Sequence, residues 1–336
     1  MKILKYFAYA VAAVSLFTAC ERQDQEFVAQ TVADPNMAKL QITRMVPEGE
    51  VTKAATDNRW WKVTIDDKDV WGDNYTYLGV RGIIPGADYY YTLTPGTHNI
   101  KGYFYRNGEH TLAYETNVTL EAGQAMNAII YDYTKDPVMH EKRTKRDYFV
   151  DGGSADVAHS TDPNHPSNAS SFQMMRFLNL LYENENTGEP CDYKVQYYYN
   201  NPYNTNEWLP VGEPVGFGEC TDWAKILINR YAPGQSYASK SSYGSNRADA
   251  DNRTGKTVGS GTCWIVYRAK KVVNGVEDEN WLTYTFEGEG GEETRYADYW
   301  TATTGAYVLH ILRGCRIANA DDDYTGMYIS QFSENW

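Results

Sequence analysis

Few residues in this chain are arranged to do covalent chemistry. Gly259-Ser260-Gly261-Thr262-Cys263-Trp264, with His310 downstream, offers a cysteine and a histidine. A cysteine nucleophile needs a lowered pKa, which a helix N-terminus supplies. Trp264-Ile265-Val266-Tyr267 reads instead as a strand, so Cys263 is expected in a core or a disulfide. Asp321-Asp322-Asp323-Tyr324-Thr325-Gly326 has part of the spacing of a calcium loop. Thr325 stands where a third acidic or amide ligand would precede the glycine. Phe332 occupies the place of the closing glutamate and offers no oxygen. Asp249-Ala250-Asp251-Asn252-Arg253-Thr254-Gly255 is weaker, because Arg253 adds positive charge. Both read as acidic surface turns. His159 and His165 lie in loop sequence. No Gly-x-Ser-x-Gly, P-loop or His-Glu-x-x-His motif occurs. The expectation is a protein that is not an enzyme and uses no cofactor and no metal.

Two further residue classes carry potential function. Cys191, Cys220, Cys263 and Cys315 all lie in the C-terminal half. They show no Cys-x-x-Cys or paired Cys/His spacing, which argues against a metal site. They are disulfide candidates, and four cysteines allow three pairings among which sequence does not choose. The chain also holds 29 tyrosines. Tyr89-Tyr90-Tyr91 and Tyr197-Tyr198-Tyr199 are candidate glycan contacts, since aromatic rings pair an apolar face with a polar rim. The favoured reading is plainer: along a strand, tyrosines fill alternating buried and edge positions.

The fifth cysteine, Cys20, is set apart. Lys2 and Lys5 precede an apolar run over residues 6–17, and Leu16-Phe17-Thr18-Ala19 leads into Cys20. The run is shorter than the roughly 20 residues of a spanning helix. It has the shape of a secretory signal and resembles a bacterial lipoprotein signal, with Phe17 where leucine is usual. The resemblance implies diacylation of Cys20, cleavage before it, and membrane attachment through lipid at the outer membrane. Such an exported setting permits disulfides. Glu21-Arg22-Gln23-Asp24-Gln25-Glu26 is similar to the surface-export signal of Bacteroidetes lipoproteins, or is a solvated tether. Removing residues 1–19 takes away Lys2 and Lys5, so a net charge of −13 becomes −15. No basic cluster suggests nucleic acid.

The elements that would position these residues are strands. Abundant Gly, Asn, Thr and Tyr favour strands and turns. Residues 39–45, 61–65 and 88–94 are candidates. Along residues 98–105, Ile100, Gly102 and Phe104 share one face, and Lys101, Tyr103 and Tyr105 the other. Asn107-Gly108 then signals a hairpin. The return strand places Leu112, Tyr114, Thr116 and Val118 on one face. Residues 126–133 follow after a turn at Glu121-Ala122-Gly123-Gln124. The second half predicts strands at 175–180, 192–199, 263–272, 282–286 and 307–312. Residues 222–230 read as either helix or strand. Residues 118–126 and 300–308 form a weak repeat: strand, glycine turn, apolar strand.

The predicted organisation is a signal peptide (1–19), a tether (20–36), a first β-sandwich (37–136), a linker (137–172) and a second β-sandwich (173–336). The second carries an inserted loop over 232–262. The fold class is all-β, with two tandem immunoglobulin-like sandwiches.

Several pieces together resemble the DUF4397 family of exported bacterial domains. These are the arginine-containing strand Met175-Arg176-Phe177-Leu178-Asn179, the aromatic run Tyr89 to Thr94 leading into Pro95-Gly96-Thr97, and the glycine-turn pairs over 118–130 and 300–314. The resemblance implies an immunoglobulin-like sandwich, twice, and carries no catalytic residues. The chain is also similar to Bacteroidetes fimbrillins, which are cut after a basic residue and then exchange a strand between subunits. Lys53 and Arg44 are the corresponding basic sites here. The function expected is a lipid-anchored, non-catalytic binding or adhesion module with a protein or glycan ligand. The alternatives are a fimbrial assembly subunit and a glycan-binding accessory lipoprotein.

Overall fold

The computed structural model describes residues 34–47, 58–72, 77–143, 145–153, 172–204, 206–228, 257–259, 262–319 and 325–334. Cys20, Lys53, His159 and His165 lie outside the described residues, as do 249–255 and 321–324 of the acidic turns.

Within them the chain forms two tandem immunoglobulin-like β-sandwiches. The first unit contains β1 (Ala38–Arg44), β2 (Lys62–Ile65), β3 (Lys68–Trp71), β4 (Gly82–Ile84), β5 (Tyr91–Leu93), β6 (Gly96–Arg106), β7 (Glu109–Leu120), β8 (Ala125–Ile130) and β9 (Val138–Glu141). Sheet I has the order β4-β1-β8-β9, with β5 also on β1; sheet II has the order β3-β2-β6-β7. Between them lie Leu40, Ile42, Trp60, Val63, Ile100 and Ile130, all within one core cluster. The alternation read along residues 98–105 holds: His98, Ile100, Gly102 and Phe104 are buried and their neighbours are not.

The second unit contains β10 (Phe172–Asn184), β11 (Glu189–Pro190), β12 (Lys194–Asn200), β13 (Trp208–Pro210), β14 (Ala224–Leu227), β15 (Thr257–Gly259), β16 (Thr262–Val273), β17 (Val276–Glu277), β18 (Thr283–Phe286), β19 (Glu293–Arg295), β20 (Asp298–Thr303), β21 (Tyr307–Ala318) and β22 (Tyr328–Glu334). Sheet III runs β11-β10-β21-β18-β19, with β14 on β10 and β22 on β21. Sheet IV runs β13-β12-β16-β15, with β17 and β20 also on β16. The ambiguous stretch near 222–230 is the strand β14, paired with the start of β10.

The weak sequence repeat is a repeat of topology. After β7 the chain turns at Gly123 (φ 78°), and after β20 at Gly305 (φ 77°). Each turn carries the chain from one sheet to the other. It lands as β8 parallel to β1, or as β21 parallel to β10. Met126 then faces Leu40, and Val308 faces Met175. These central strands are buried on both faces, and β8, β10 and β21 read as mostly apolar runs, whereas β1 alternates with Lys39, Gln41 and Thr43. Their outward residues Met45, Ile129, Leu178, Leu180, Leu309 and Ile311 form a cluster in which sheet I packs on sheet III.

Two expectations change. Residues 137–172 are not all linker: β9 extends sheet I by pairing with β8, and α1 (Lys145–Val150) follows. His140 on β9 is buried and sits 3.3 Å from the Arg176 guanidinium of the second unit. The inserted loop is likewise bounded by strand, since residues 257–259 and 262 belong to β15 and β16; its 232–256 portion lies outside the described residues.

Arg44 ends β1 with its side chain fully buried. Its Nη2 donates to the Asn58 carbonyl at 2.8 Å and its Nε to the Tyr133 hydroxyl at 2.8 Å. As a cleavage site it is shielded by the fold.

Candidate functional site

At the tip of sheet II, Asn107 and Gly108 both take positive φ, 52° and 88°. A two-residue hairpin turn needs that conformation, and these residue types tolerate it. The turn lays β7 against β6. Midway the register shifts: Gly102 faces Tyr114, but Tyr103 faces Leu112. Ala113 is therefore an extra residue, a β-bulge, and a bulge resets the alternation of side chains. On the core side of it Tyr114, Thr116 and Val118 point inward, as expected. Leu112, expected with them, is 49% exposed instead. The bulge puts Leu112 and His110 on the outward face, opposite Tyr103 and Tyr105.

That outward face carries a row of rings. Tyr77, Trp61, Tyr105 and His110 follow one another at centroid distances of 5.5, 5.9 and 5.2 Å, tilted by 54°, 46° and 57°. Tyr77 and Tyr105 are 44% and 46% exposed. A bend at Trp61 separates it from Trp60, whose indole fills the core. Gly102 makes room for that indole, because a Cβ there would sit 2.2 Å from the ring. The Arg59 guanidinium lies 4.0 Å from the centre of the Tyr77 ring. A cleft of about 520 Å³ adjoins the row, lined by Lys62, Asp69, Val70, Trp71, Gly72 and His110. His110 thus belongs to both the row and the cleft. Within the cleft Lys62 and Asp69 are ion-paired at 2.8 Å.

The base of this face is pinned by His98. Its Nδ1 lies 2.7 Å from Asp66 Oδ2 and its Nε2 lies 2.7 Å from the Thr94 carbonyl. Both partners only accept, so an imidazolium that donates from both nitrogens satisfies the pair. Burial alone would lower the His98 pKa, but the Asp66 and Thr94 bonds outweigh it and raise it. Asp66 itself is held below the usual carboxylate range: burial opposes this, and the bonds from His98 and the Asn99 N–H prevail. Asp66 and Asp67 form the β2–β3 turn at positive φ, 51° and 61°.

The tyrosine triads do not form joint surfaces. Tyr89 is 52% exposed, Tyr90 is half-buried beneath Lys39, and the Tyr91 hydroxyl donates to the Val70 carbonyl at 3.2 Å. Burial pushes the Tyr91 pKa up to about 12. On β12, Tyr197 and Tyr199 point into the core, and Tyr197 stacks on Phe177 at 4.3 Å. Tyr198 alone faces outward, as strand periodicity demands. There it meets Trp281 edge-on at 5.5 Å, and its hydroxyl donates to Glu277.

This outer face of sheet IV is the counterpart of the sheet II face. Its rings are covered. Arg268, 7% exposed, lies 4.5 Å over Trp208 and 5.4 Å over Trp281. Lys270 lies 5.2 Å from the Trp281 centroid and is ion-paired with Glu277 at 2.9 Å. Trp208 and Trp281 pack together at 5.0 Å.

The disulfide expectation is not met: Cys191, Cys220, Cys263 and Cys315 are thiols in the structure. Cys191 and Cys315 flank β10 on opposite sides, about 10 Å apart at two strand spacings, beyond the roughly 7 Å limit for a bridge. Cys263 belongs to the facing sheet, on β16. Cys220 packs against the cluster between the two units instead. The Cys191 thiol donates to Tyr193 and Glu183, and burial drives its pKa upward. Cys263 lies fully buried on β16, in strand, as expected. His310 is fully buried, with Nδ1 3.1 Å from the Tyr197 hydroxyl and Nε2 3.3 Å from Gln331 Oε1. Burial lowers its pKa to about 3.

Among the described residues, no three His, Cys, Asp or Glu side chains are grouped so as to hold a metal ion. No helix among them is long and apolar enough to cross a membrane.

The residues missed by sequence reading are Trp61, Tyr77 and His110; only the outward placement of Tyr105 was legible. The half-buried neighbour of a buried tryptophan in Trp60-Trp61 was the available signal.

No family model matches the chain, and no curated protein matches it. The DUF4397 likeness rests on the residues quoted above alone. Among solved structures, the Bacillus anthracis TIE protein is similar at 11% identity and a TM-score of 0.17. The match covers 82% of this chain and 34% of that one, so this chain spans about a third of its length. A protein from Bacteroides ovatus, provisionally assigned to cell adhesion, is similar at 8% identity and a TM-score of 0.20, covering 89% and 97% of the two chains. One from Bacteroides eggerthii, assigned in the same way, shows 8% identity and a TM-score of 0.15, covering 90% and 96%. Likeness at this level carries no argument about function.

Proposed function

We propose that this protein is a non-catalytic binding or adhesion module that meets its ligand with the outer face of sheet II. The observation that carries this reading is the row Tyr77, Trp61, Tyr105 and His110 beside its cleft. Large rings left half-exposed in a contiguous array are a common mark of recognition surfaces. Tyr105 and His110 stand on the paired, bulged β6–β7 hairpin, which holds these two rings in place before any ligand arrives. The core positions of Cys263 and His310 agree with a non-catalytic role. Lipidation of Cys20 would tether the module at the outer membrane.

The test is retention of the lipidated full chain on surfaces coated with polysaccharide or with protein. Retention on either surface, lost in the Tyr77→Ala/Tyr105→Ala double variant, is expected. Retention on neither, or retention indifferent to that variant, overturns the reading. In a second arm, Cys20→Ser is expected to move the protein from the membrane to the soluble fraction.

A further inference from the structure

We infer that the ligand of the sheet II face is a neutral saccharide chain, stacked on the row and hydrogen-bonded in the adjoining cleft. This rests on the reading of that face as the binding surface.

Three features of the geometry point to it. First, the rings are spaced between 5.2 and 5.9 Å, but successive planes are tilted by 46° to 57°. One rigid flat ligand cannot lie on more than one of them. A chain of pyranose units meets the arrangement, because each glycosidic linkage rotates and each sugar offers its own apolar face. A ring spacing of this size is also close to the length of one sugar along an extended chain.

Second, the charges of the cleft cancel. Lys62 and Asp69 are paired at 2.8 Å, so neither is left to select an anion or a cation. The pair still presents an acceptor-only carboxylate and a donor-only ammonium side by side. Neighbouring hydroxyl groups, which both donate and accept, match that combination better than any charged group does.

Third, His110 links the two parts. It packs on Tyr105 and also lines the cleft. It therefore stands where a stacked sugar would project its hydroxyl groups, and its ring offers a donor or an acceptor there. On the sheet IV face Arg268 and Lys270 cover the indoles; on the sheet II face Arg59 caps the Tyr77 ring at 4.0 Å, so the stacking positions are Trp61, Tyr105 and His110.

The experiment titrates the full chain with soluble neutral glucans, xylans and mannans, read by calorimetry and by tryptophan fluorescence. A proline-rich peptide and a charged uronic-acid polymer serve as competing classes. Binding of at least one neutral saccharide is expected, weakened about tenfold by Tyr105→Ala and by Trp61→Ala, the loss of one stacked ring. His110→Ala is expected to weaken it less, and Trp281→Ala on sheet IV not at all. Tyr105 is half-exposed, so its variant keeps the fold even if Trp61→Ala does not. Absence of neutral-saccharide binding overturns the inference, as does binding indifferent to Tyr105→Ala, or stronger binding of the peptide or charged polymer. If the chain is instead retained on protein-coated surfaces in a Tyr105-dependent way, the saccharide inference fails while the binding face stands.

Discussion

The outer faces of sheets II and IV occupy the same place in two copies of one fold, and both are rich in rings. On sheet II Tyr77 and Tyr105 are nearly half exposed, although Arg59 caps the Tyr77 ring at 4.0 Å. On sheet IV Arg268 lies across Trp208 and Trp281, and Tyr198 packs edge-on against Trp281. The same residue types thus make a surface in one unit and a covered satellite cluster in the other. The difference lies in the cation. Arg268 is central on β16 and its guanidinium reaches two indoles; on sheet II Arg59 caps Tyr77, and Lys62, held by Asp69, lies 5.6 Å from the Tyr103 centroid. An aromatic count alone therefore does not distinguish a binding face from a packed one.

The comparison is broken most forcefully from beneath. Gly102→Ala drives a methyl into the Trp60 indole and should destabilise the protein by about 1–3 kcal/mol, the usual cost of overpacking. Urea unfolding measures it; an unchanged midpoint would mean that the Trp60 indole does not fill the space above Gly102 as described. Next in size, Arg268→Ala should uncover the sheet IV rings at a cost of about 1–2 kcal/mol, from lost cation–π contact and lost side-chain packing. Acrylamide should then quench more tryptophan fluorescence than in the parent. No rise in quenching would show that Arg268 is not the cover.

The His98–Asp66 pair gives a pH signature specific to the first unit. The His98 pKa is raised in the fold above its ordinary 6.5, so its contribution is full below that value and fades as pH rises through the folded pKa. The Asp66 pKa is lowered from 3.8, so its contribution is full above that value and fades as pH falls through the folded pKa. Between the two the pair contributes most. His98→Gln should flatten the decline of stability on the alkaline side, as followed by thermal unfolding across pH. A decline of equal slope in the variant would remove His98 as its source. Smallest of all, Tyr105→Ala should change stability by no more than about 0.5 kcal/mol, as for other surface sites, while it strongly affects binding. A large loss of stability would make that ring a packing element like those of sheet IV.

Much of the scaffold was legible in the residues. The Asn107-Gly108 turn, the alternation from His98 to Tyr105 and the double-sided apolar runs of β8 and β21 are local patterns with local causes. The topological repeat was also visible, because both copies turn on a glycine with positive φ. The site was less legible. The six tyrosines of the two triads drew attention by adjacency, yet strand periodicity sends adjacent side chains to opposite faces, and Tyr197 and Tyr199 went into the core. The cysteines were separated by strand order, which their spacing in sequence does not encode.

By itself, the sequence determined a strand-and-turn protein with a duplicated sandwich and its buried faces, since period-two burial and turn chemistry act over a few residues. Only the tertiary structure decided which rings meet water. The bulge at Ala113 is set by the pairing of β6 with β7, and it alone turns His110 and Leu112 outward beside Tyr105. The cover on sheet IV depends on Arg268 meeting indoles from two other segments, Trp208 and Trp281. Both outcomes arise from contacts between residues far apart in sequence, where no local pattern records them.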